Sequence, residues 1–251
     1  MKLVKLSVGG IKDISTIDYP GEVVSVIFLC GCSFKCPFCQ NWQLLDNSNC
    51  EELTVSDIIF RLKDYSDFVN GVCITGGEPT FQGKGLIELL NQMKVLGLIK
   101  LDTNGFFPNI IEKILKMNVL SYIALDIKAP FEPNMYGSAC GLPESGEKII
   151  EQVKKSIELI LNEPSVFLEA RTTVVPDLID KEEQFEKIAS NLSGIKRFAL
   201  QQFRPDGGTL DPSFKTLPTP SRQKILDLAK IVKKYIEDVR IRTLVSGEEK
   251  I

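Results

Sequence analysis

Histidine is absent from this chain of 251 residues. Its absence excludes Ser-His-Asp triads, Cys-His nucleophile pairs and histidine-ligated haem, and it leaves acid–base work to carboxylates, Lys, Tyr or Cys. Long apolar runs are also missing: the longest, Val23 to Cys30, is interrupted by Ser25 and is far shorter than the ~20 residues of a membrane span. There is no basic excess, since 30 Lys and Arg face 33 Asp and Glu. We therefore expect neither a nucleic acid nor a membrane as partner.

The seven cysteines do not form a regular disulfide pattern. Their number is odd and three of them share one loop, which indicates a reducing compartment and therefore the cytoplasm. We interpret Cys30, Cys50, Cys73 and Cys140 as core or incidental residues. A redox or substrate role stays open for Cys50 or Cys140, because both lie in predicted loops.

Three cysteines lie within eight residues, Cys32, Cys36 and Cys39, with the spacing C-x3-C-x2-C. A [4Fe–4S] cluster normally takes four thiolates, so three ligands on one loop would leave one iron open to bind and reduce a second molecule. The ferredoxin spacing C-x2-C-x2-C-x3-C-P does not fit. A zinc site would need a second pair of Cys or His about 12 to 20 residues away, and only the single Cys50 follows nearby. A cluster is therefore favoured over a small structural metal site.

Short β-like runs alternate with helical patterns, which predicts an α/β fold with a parallel sheet and right-handed crossovers. Thr54, with Asp57 three residues on, predicts one helix N-terminus. Six or more βα units predict a barrel, complete or partial. We expect one domain over residues 1–251, with a core at about 17–205 and a C-terminal helix and strand within about 218–245.

Unusual motifs follow the predicted strands directly, at the end where βα barrels place their active sites. After the cysteine loop they are Gly76-Gly77-Glu78-Pro79, Asp102-Thr103-Asn104-Gly105, Asp126-Ile127-Lys128, and Gln201-Gln202-Phe203-Arg204-Pro205. The first three have plain interpretations as well: a glycine-rich turn, an Asn-Gly turn, and an Asp126–Lys128 ion pair on one strand face. Arg171, inside the fifth strand, either faces solvent or pairs with a carboxylate in the barrel.

The cysteine loop resembles the signature of the radical S-adenosylmethionine (SAM) superfamily. The wider segment from Ile17-Asp18-Tyr19-Pro20-Gly21 to Cys39-Gln40-Asn41-Trp42 resembles the branch that activates glycyl-radical enzymes. That branch includes the anaerobic ribonucleoside-triphosphate reductase activating proteins and the pyruvate formate-lyase activating enzymes. The motifs Asp102-Thr103-Asn104-Gly105 and Leu125-Asp126-Ile127-Lys128 match it as well. The resemblance covers roughly residues 10–205 and implies a partial (β/α)6 barrel.

The resemblance also implies roles for individual residues. Cys32, Cys36 and Cys39 would hold a [4Fe–4S] cluster, and Gly77 and Glu78 would meet the amino group of SAM. The counterpart of Lys128 approaches the SAM carboxylate, and the aspartate counterparts help to hold a monovalent cation beside it. Near Arg204, family members often carry a histidine where this chain has Gln-Phe-Arg-Pro. The expected SAM-site residues are Phe38, Cys39, Gln40, Asn41, Gly77, Glu78, Asp102, Thr103, Asp126, Ile127, Lys128, Arg171 and Arg204.

The implied reaction is one-electron cleavage of SAM to methionine and a 5′-deoxyadenosyl radical, which then takes a hydrogen atom. The implied hydrogen donor is a glycine of a partner glycyl-radical enzyme, with the anaerobic ribonucleotide reductase as first expectation and a flavodoxin or ferredoxin as electron donor. One alternative is a radical SAM enzyme that acts on a small molecule or a modified nucleoside. The other is an electron-transfer or structural Fe–S or zinc module without SAM chemistry, which would leave the motifs at the other strand ends unexplained.

One further stretch, 129–146, is predicted as a long connection between a strand and a helix. Long connections in compact domains are usually functional loops. We expect this one to cover the site or to touch the partner.

Overall fold

The computed structural model describes residues 4–94 and 96–251. The chain divides into two compact units. The first contains Met1–Ser33, Gln43–Ala124 and Lys155–Phe167, and the second contains Phe34–Trp42, Leu125–Lys154 and Leu168–Ile251. The boundary crosses the cysteine loop, so Cys32 belongs to the first unit and Cys36 and Cys39 belong to the second.

The first unit is built on parallel strands that are buried along most of their length. Its strands are β1 (Lys5–Ser15), β2 (Val24–Leu29), β3 (Glu51–Thr54), β4 (Gly71–Gly76), β5 (Leu98–Thr103) and β6 (Tyr122–Asp126), in the order β3-β1-β2-β4-β5-β6. The last two residues of β6 belong to the second unit. β2, β4 and β5 run parallel, whereas β1 is antiparallel to both β2 and β3. Every residue of β2 except Phe28 is buried, as is typical of a parallel strand covered on both faces.

The helices of the first unit follow its strands. They are α1 (Val55–Lys63), α2 (Gly83–Met93) and α3 (Pro108–Leu115). α1 begins at Thr54, whose Oγ1 accepts a hydrogen bond from the backbone N–H of Asp57, while the Asp57 carboxylate accepts one from the backbone N–H of Thr54. This capping box satisfies two backbone donors at the helix start and confirms the predicted N-terminus.

The second unit repeats the strand–helix alternation. Its strands are β7 (Phe167–Val174), β8 (Arg197–Gln202), β9 (Asp238–Thr243) and β10 (Gly247–Lys250), and its helices are α4 (Pro133–Ala139), α5 (Gly146–Leu161), α6 (Glu182–Ser190) and α7 (Arg222–Val232). β7, β8 and β9 are parallel neighbours, and β10 closes the edge antiparallel to β9. Phe167 and the end of α5 from Lys155 on belong to the first unit. None of the helices among the described residues is long and apolar enough to cross a membrane.

The stretch 129–146 is more ordered than predicted. It contains α4 and a 3-10 turn at Pro143–Ser145, and Tyr136 and Cys140 within it are buried. The Tyr136 ring stacks on that of Phe131 at 5.7 Å between centroids, and the backbone N–H of Lys35 donates to the carbonyl of Cys140 at 2.9 Å. These contacts fold the stretch onto the segment that carries Cys36.

A disulfide joins Cys30 and Cys50, although the sequence predicted core or incidental roles for both. The reason lies in strand pairing. Val8 of β1 pairs with Leu29, next to Cys30, and also with Glu51, next to Cys50. The antiparallel β1 thus brings together two cysteines 20 residues apart, and the closed ring contains the whole cysteine loop. The other five cysteines are not in disulfides.

Candidate active site

Glu78 organises the strand ends of the first unit. It follows β4, and only 1% of its surface is exposed. Its Oε1 accepts hydrogen bonds from the backbone N–H of Thr80 at 3.0 Å, from the Thr80 hydroxyl, and from the Thr103 hydroxyl at 2.7 Å. Its Oε2 accepts one from the backbone N–H of Asn104 at 2.6 Å. Burial raises the pKa of Glu78, and these neutral donors oppose the rise only in part.

The Gly76-Gly77 motif lies directly against the start of the cysteine loop. The backbone N–H of Glu78 donates to the Gly31 carbonyl at 2.8 Å. A Cβ atom at Gly77 would overlap that same carbonyl oxygen, so only glycine fits there. Gly77 is therefore required by the packing of residue 31, next to Cys32, whatever its part in ligand binding.

Asp102, Thr103 and Asn104 share the end of β5. Asn104 was not among the predicted site residues, yet its Nδ2 lies 3.8 Å from the Cys32 sulfur and 3.4 Å from the Ser33 hydroxyl. Asp102 pairs with the Lys100 ammonium on the same strand face. This ion pair was not predicted, because a lysine in a strand is normally exposed, although Lys100 and Asp102 have the same i, i+2 spacing as Asp126 and Lys128.

In the second unit, Asp126 at the end of β6 pairs with two cations. Its Oδ1 accepts from Arg171 Nε and its Oδ2 accepts from Lys128 Nζ, at 2.9 and 3.0 Å. The predicted Asp126–Lys128 pair and the predicted pairing of Arg171 with a carboxylate are both confirmed. Burial alone would raise the pKa of Asp126, but the charges of Arg171 and Lys128 outweigh it and hold that pKa at about 2. The charge of Asp126 in turn raises the pKa of Lys128 against the opposing effect of burial.

Cys36 and Cys39 lie close to these charges. Cys36 is buried, and a hydrogen bond with Cys140 together with burial raises the pKa of its thiol well above the usual value. Burial raises the pKa of Cys39 to about 11, while the charge of Lys128 opposes the rise for both thiols. Cluster iron binds thiolates, so loading a cluster would release these protons.

The remaining predicted residues of the second unit fall into two groups. Phe38 and Ile127 are buried, and Ile127 is fixed by its backbone: its N–H donates to the Arg171 carbonyl and its own carbonyl accepts from the Thr172 hydroxyl, both at 2.8 Å. Gln40, Asn41 and Arg204 are exposed, and the Gln40 side-chain amide donates to the Arg204 carbonyl.

In the described part of the chain no three His, Cys, Asp or Glu side chains are grouped so that they could hold a metal ion, so the three-cysteine ligand set stays a prediction.

Comparison with known proteins settles the family. The sequence pattern of the radical SAM superfamily matches residues 26–189. The chain belongs to the radical SAM superfamily. A Methanocaldococcus jannaschii protein, whose name gives it provisionally as a glycyl-radical enzyme activating enzyme, is 40% identical over 242 residues, or 96% of this chain and 98% of that one. The pyruvate formate-lyase-activating enzyme of Clostridium pasteurianum is 27% identical over 241 residues, covering 90% of this chain and 97% of that one.

A solved structure supports the fold class. A radical SAM methyltransferase from Sphaerobacter thermophilus superposes with a TM-score of 0.69 at 16% identity, covering 89% of this chain and 67% of that one. At that identity the likeness concerns the fold alone. The predicted α/β fold with a mostly parallel sheet, of the partial-barrel radical SAM type, is confirmed.

Membership of the superfamily implies a [4Fe–4S] cluster and SAM. The residue types present match both groups: the loop carries three thiols, the ligands that iron–sulfur clusters take, Glu78 offers a carboxylate held by neutral donors, and Lys128 and Arg171 offer cations beside Asp126.

Proposed function

We propose that this protein is an oxidoreductase that activates a glycyl-radical enzyme by removing a hydrogen atom from one of its glycines. The observation that carries the proposal is the 40% identity to the Methanocaldococcus jannaschii protein over nearly the full length of both chains. The match to the Clostridium pasteurianum activating enzyme over 90% of this chain supports it. We take residues 1–251 to act as a single functional domain.

The proposed role of each residue in binding the cluster and SAM follows from its charge and chemistry. Cys32, Cys36 and Cys39 hold the cluster, and when bound, cluster and SAM supply the one-electron bond cleavage that generates the hydrogen-abstracting radical. Glu78 accepts from the SAM amino group, with Gly77 giving the backbone close access. Lys128 and Arg171, which both pair with Asp126, face the SAM carboxylate. The rest of SAM is contacted by Phe38, Gln40, Asn41, Ile127 and Arg204. The strand end beside it is formed by Asp102 and Thr103.

The partner, reductant and location complete the proposal. The partner is a glycyl-radical enzyme, with the anaerobic ribonucleotide reductase as first candidate, and the electron comes from a flavodoxin or ferredoxin in the cytoplasm. The near-balanced charge of 30 basic and 33 acidic residues gives no overall attraction to a nucleic acid.

The test is to mix reduced, cluster-loaded protein with SAM and a glycyl-radical enzyme from the same source under anaerobic conditions. We expect a glycine-centred radical, seen as a doublet by electron paramagnetic resonance. Two controls should be silent: Cys39→Ala of this protein, and the partner with its radical glycine changed to alanine. If every glycyl-radical enzyme of the source stays silent while a nucleoside or other small metabolite drives 5′-deoxyadenosine formation, the small-molecule alternative replaces the proposal.

A further inference from the structure

The side chain of Lys100 is buried in the interior of the first unit. Lys100 lies in β5, and only 3% of its side chain is exposed. Its ammonium lies 3.7 Å from the Cys73 sulfur and 5.8 Å from the centre of the Tyr122 ring. Cys73 and Tyr122 belong to the hydrophobic cluster that also contains Tyr19, Val24 and Val26. An ammonium in such surroundings is strongly disfavoured unless a carboxylate pairs with it.

The carboxylate that pairs with it is Asp102, two residues further along β5. Residues i and i+2 of a strand point to the same face, so the Lys100 side chain runs along that face to the strand end and its ammonium binds Asp102 Oδ1. The Asp102 side chain is 15% exposed. The ion pair thus links an apolar interior to the strand end that also carries Thr103 and Asn104.

This arrangement disagrees with the monovalent cation that the family resemblance implied beside SAM. Carbonyl oxygens alone can hold a monovalent cation, but the resemblance assigns this cation to two aspartates, so it would have to bind their carboxylate oxygens. Asp102 forms an ion pair with the ammonium of Lys100. In the second unit, Asp126 forms ion pairs with both Lys128 and Arg171. Both aspartates assigned to the cation therefore already hold covalently tethered cations of the chain itself.

We propose that the Lys100 ammonium is the built-in counter-cation of Asp102, so that this protein needs no exchangeable monovalent cation. Lys100 is a positioning residue: it places a positive charge beside Asp102 and fixes one of its oxygens while never touching SAM. The SAM-affinity part of the test rests on the proposed function, whereas the stability part does not.

The experiment compares the wild type, Lys100→Met, Lys100→Arg and the double variant Lys100→Met/Asp102→Asn in potassium, sodium, ammonium and choline chloride at equal ionic strength. Thermal unfolding is measured on the cluster-free chain and SAM affinity on the reconstituted protein. Methionine keeps the length and apolar stem of lysine but removes its charge. The double variant removes both charges, and choline is too large to enter a lysine-sized space.

The wild type should show the same unfolding midpoint and the same SAM affinity in all four salts. Lys100→Met should unfold at a lower temperature in choline and recover in part in potassium or ammonium, with a parallel rescue of SAM affinity of about tenfold. Lys100→Arg should keep the same unfolding midpoint and SAM affinity in all four salts, because arginine retains the positive charge. The unfolding midpoint of the double variant should not depend on the salt. Rescue by a free cation is a result that a purely structural lysine would not give.

A wild type that loses SAM affinity about tenfold in choline would overturn the inference, because an exchangeable cation would then be in use. A folded Lys100→Met variant with the same unfolding midpoint and the same SAM affinity in all four salts would also overturn the inference. If Lys100→Met does not fold, recovery of folding in the double variant supports the pairing and failure to recover contradicts it. If the wild type binds no SAM in any salt, the proposed function fails, and the unfolding midpoints still decide the role of Lys100.

Discussion

The two units place carboxylates at their strand ends in opposite electrical settings, Glu78 buried and Asp126 partly buried. In the first unit, Glu78 is held by two threonine hydroxyls and two backbone N–H groups, none of which carries charge. In the second, Asp126 is held by an ammonium and a guanidinium. Glu78 is thus held by neutral donors alone, whereas Asp126 is paired with two cations.

The difference shows that the same functional group can be placed in two kinds of electrical surroundings. A carboxylate with neutral donors suits a cationic ligand group, and a carboxylate outnumbered by cations suits an anionic one. The proposed function uses this contrast, because SAM carries an ammonium and a carboxylate at its amino-acid end. The pKa values follow the same contrast: burial raises that of Glu78, and the two cations lower that of Asp126 to about 2.

The largest expected effect concerns the cysteines, which the boundary between the units separates. Changing Cys32, Cys36 or Cys39 to alanine should abolish the cluster, because an open-iron cluster with three thiolate ligands cannot lose one of them. Anaerobic reconstitution should give about four irons per wild-type chain and few in each variant. Cys140→Ala, a buried control that contacts Cys36, should keep its iron. Full iron in Cys32→Ala would exclude the first unit from the cluster.

Removing the negative charge of the second unit should be the next largest effect. Asp126→Asn leaves Lys128 and Arg171 without their shared carboxylate, and breaking such a partly buried network costs roughly 3 kcal/mol of unfolding free energy. Urea denaturation of the cluster-free chain measures this. Adding Lys128→Met to Asp126→Asn should recover part of the loss. A stability within about 0.5 kcal/mol of the wild type would mean that the network is not coupled in solution.

Lys128→Met alone should leave stability nearly unchanged, because Arg171 still neutralises Asp126. It should instead weaken SAM binding by about 10- to 150-fold, the equivalent of roughly 1.5–3 kcal/mol for a lost charged hydrogen bond. Equilibrium dialysis of the reconstituted protein gives the affinity, and iron content should stay at the wild-type level. Lys155→Met, an exposed lysine, is the matched control. Equal affinity in both variants would place the SAM carboxylate elsewhere.

The smallest expected effect is a pair of opposite pH dependences. Asp126 has a lowered folded pKa, so the stability it contributes is complete above pH 3.8 and is lost as the pH falls toward about 2. Glu78 has a raised folded pKa, so its contribution declines as the pH rises through the window above 4.5. Unfolding curves over a pH series should show that Asp126→Asn removes the acid-side loss and that Glu78→Gln removes the other. If the free energy of unfolding changed with pH at the same slope in both variants and the wild type, the proposed difference between the surroundings of Glu78 and Asp126 would be contradicted.

The sequence predicted much of this arrangement, because local signals decide it. Thr54 and Asp57 form a capping box on neighbouring residues, and the motifs after β4, β5 and β6 occupy strand ends because an alternating chain has few other ways to fold. The Asp126–Lys128 pair follows from strand geometry alone, since residues i and i+2 share a face.

What the sequence did not reveal depends on distant contacts. The Cys30–Cys50 disulfide requires β1 to pair with both β2 and β3, which no local pattern near either cysteine encodes. The burial of Lys100 depends on Cys73 and Tyr122, which lie on the neighbouring strands β4 and β6, whereas its pairing with Asp102 is local. α4 inside the stretch 129–146 begins at Pro133, a favoured first helical residue, but it is held by the packing of Tyr136 and Cys140.

The most direct test of the central claim, that this chain carries out radical SAM chemistry, is the formation of 5′-deoxyadenosine. Anaerobic, cluster-loaded protein with a strong reductant and SAM should yield 5′-deoxyadenosine and methionine in equal amounts, measured by liquid chromatography, while Cys39→Ala yields neither. A wild type that holds about four irons per chain and binds SAM, yet forms no 5′-deoxyadenosine under reduction, would contradict the account.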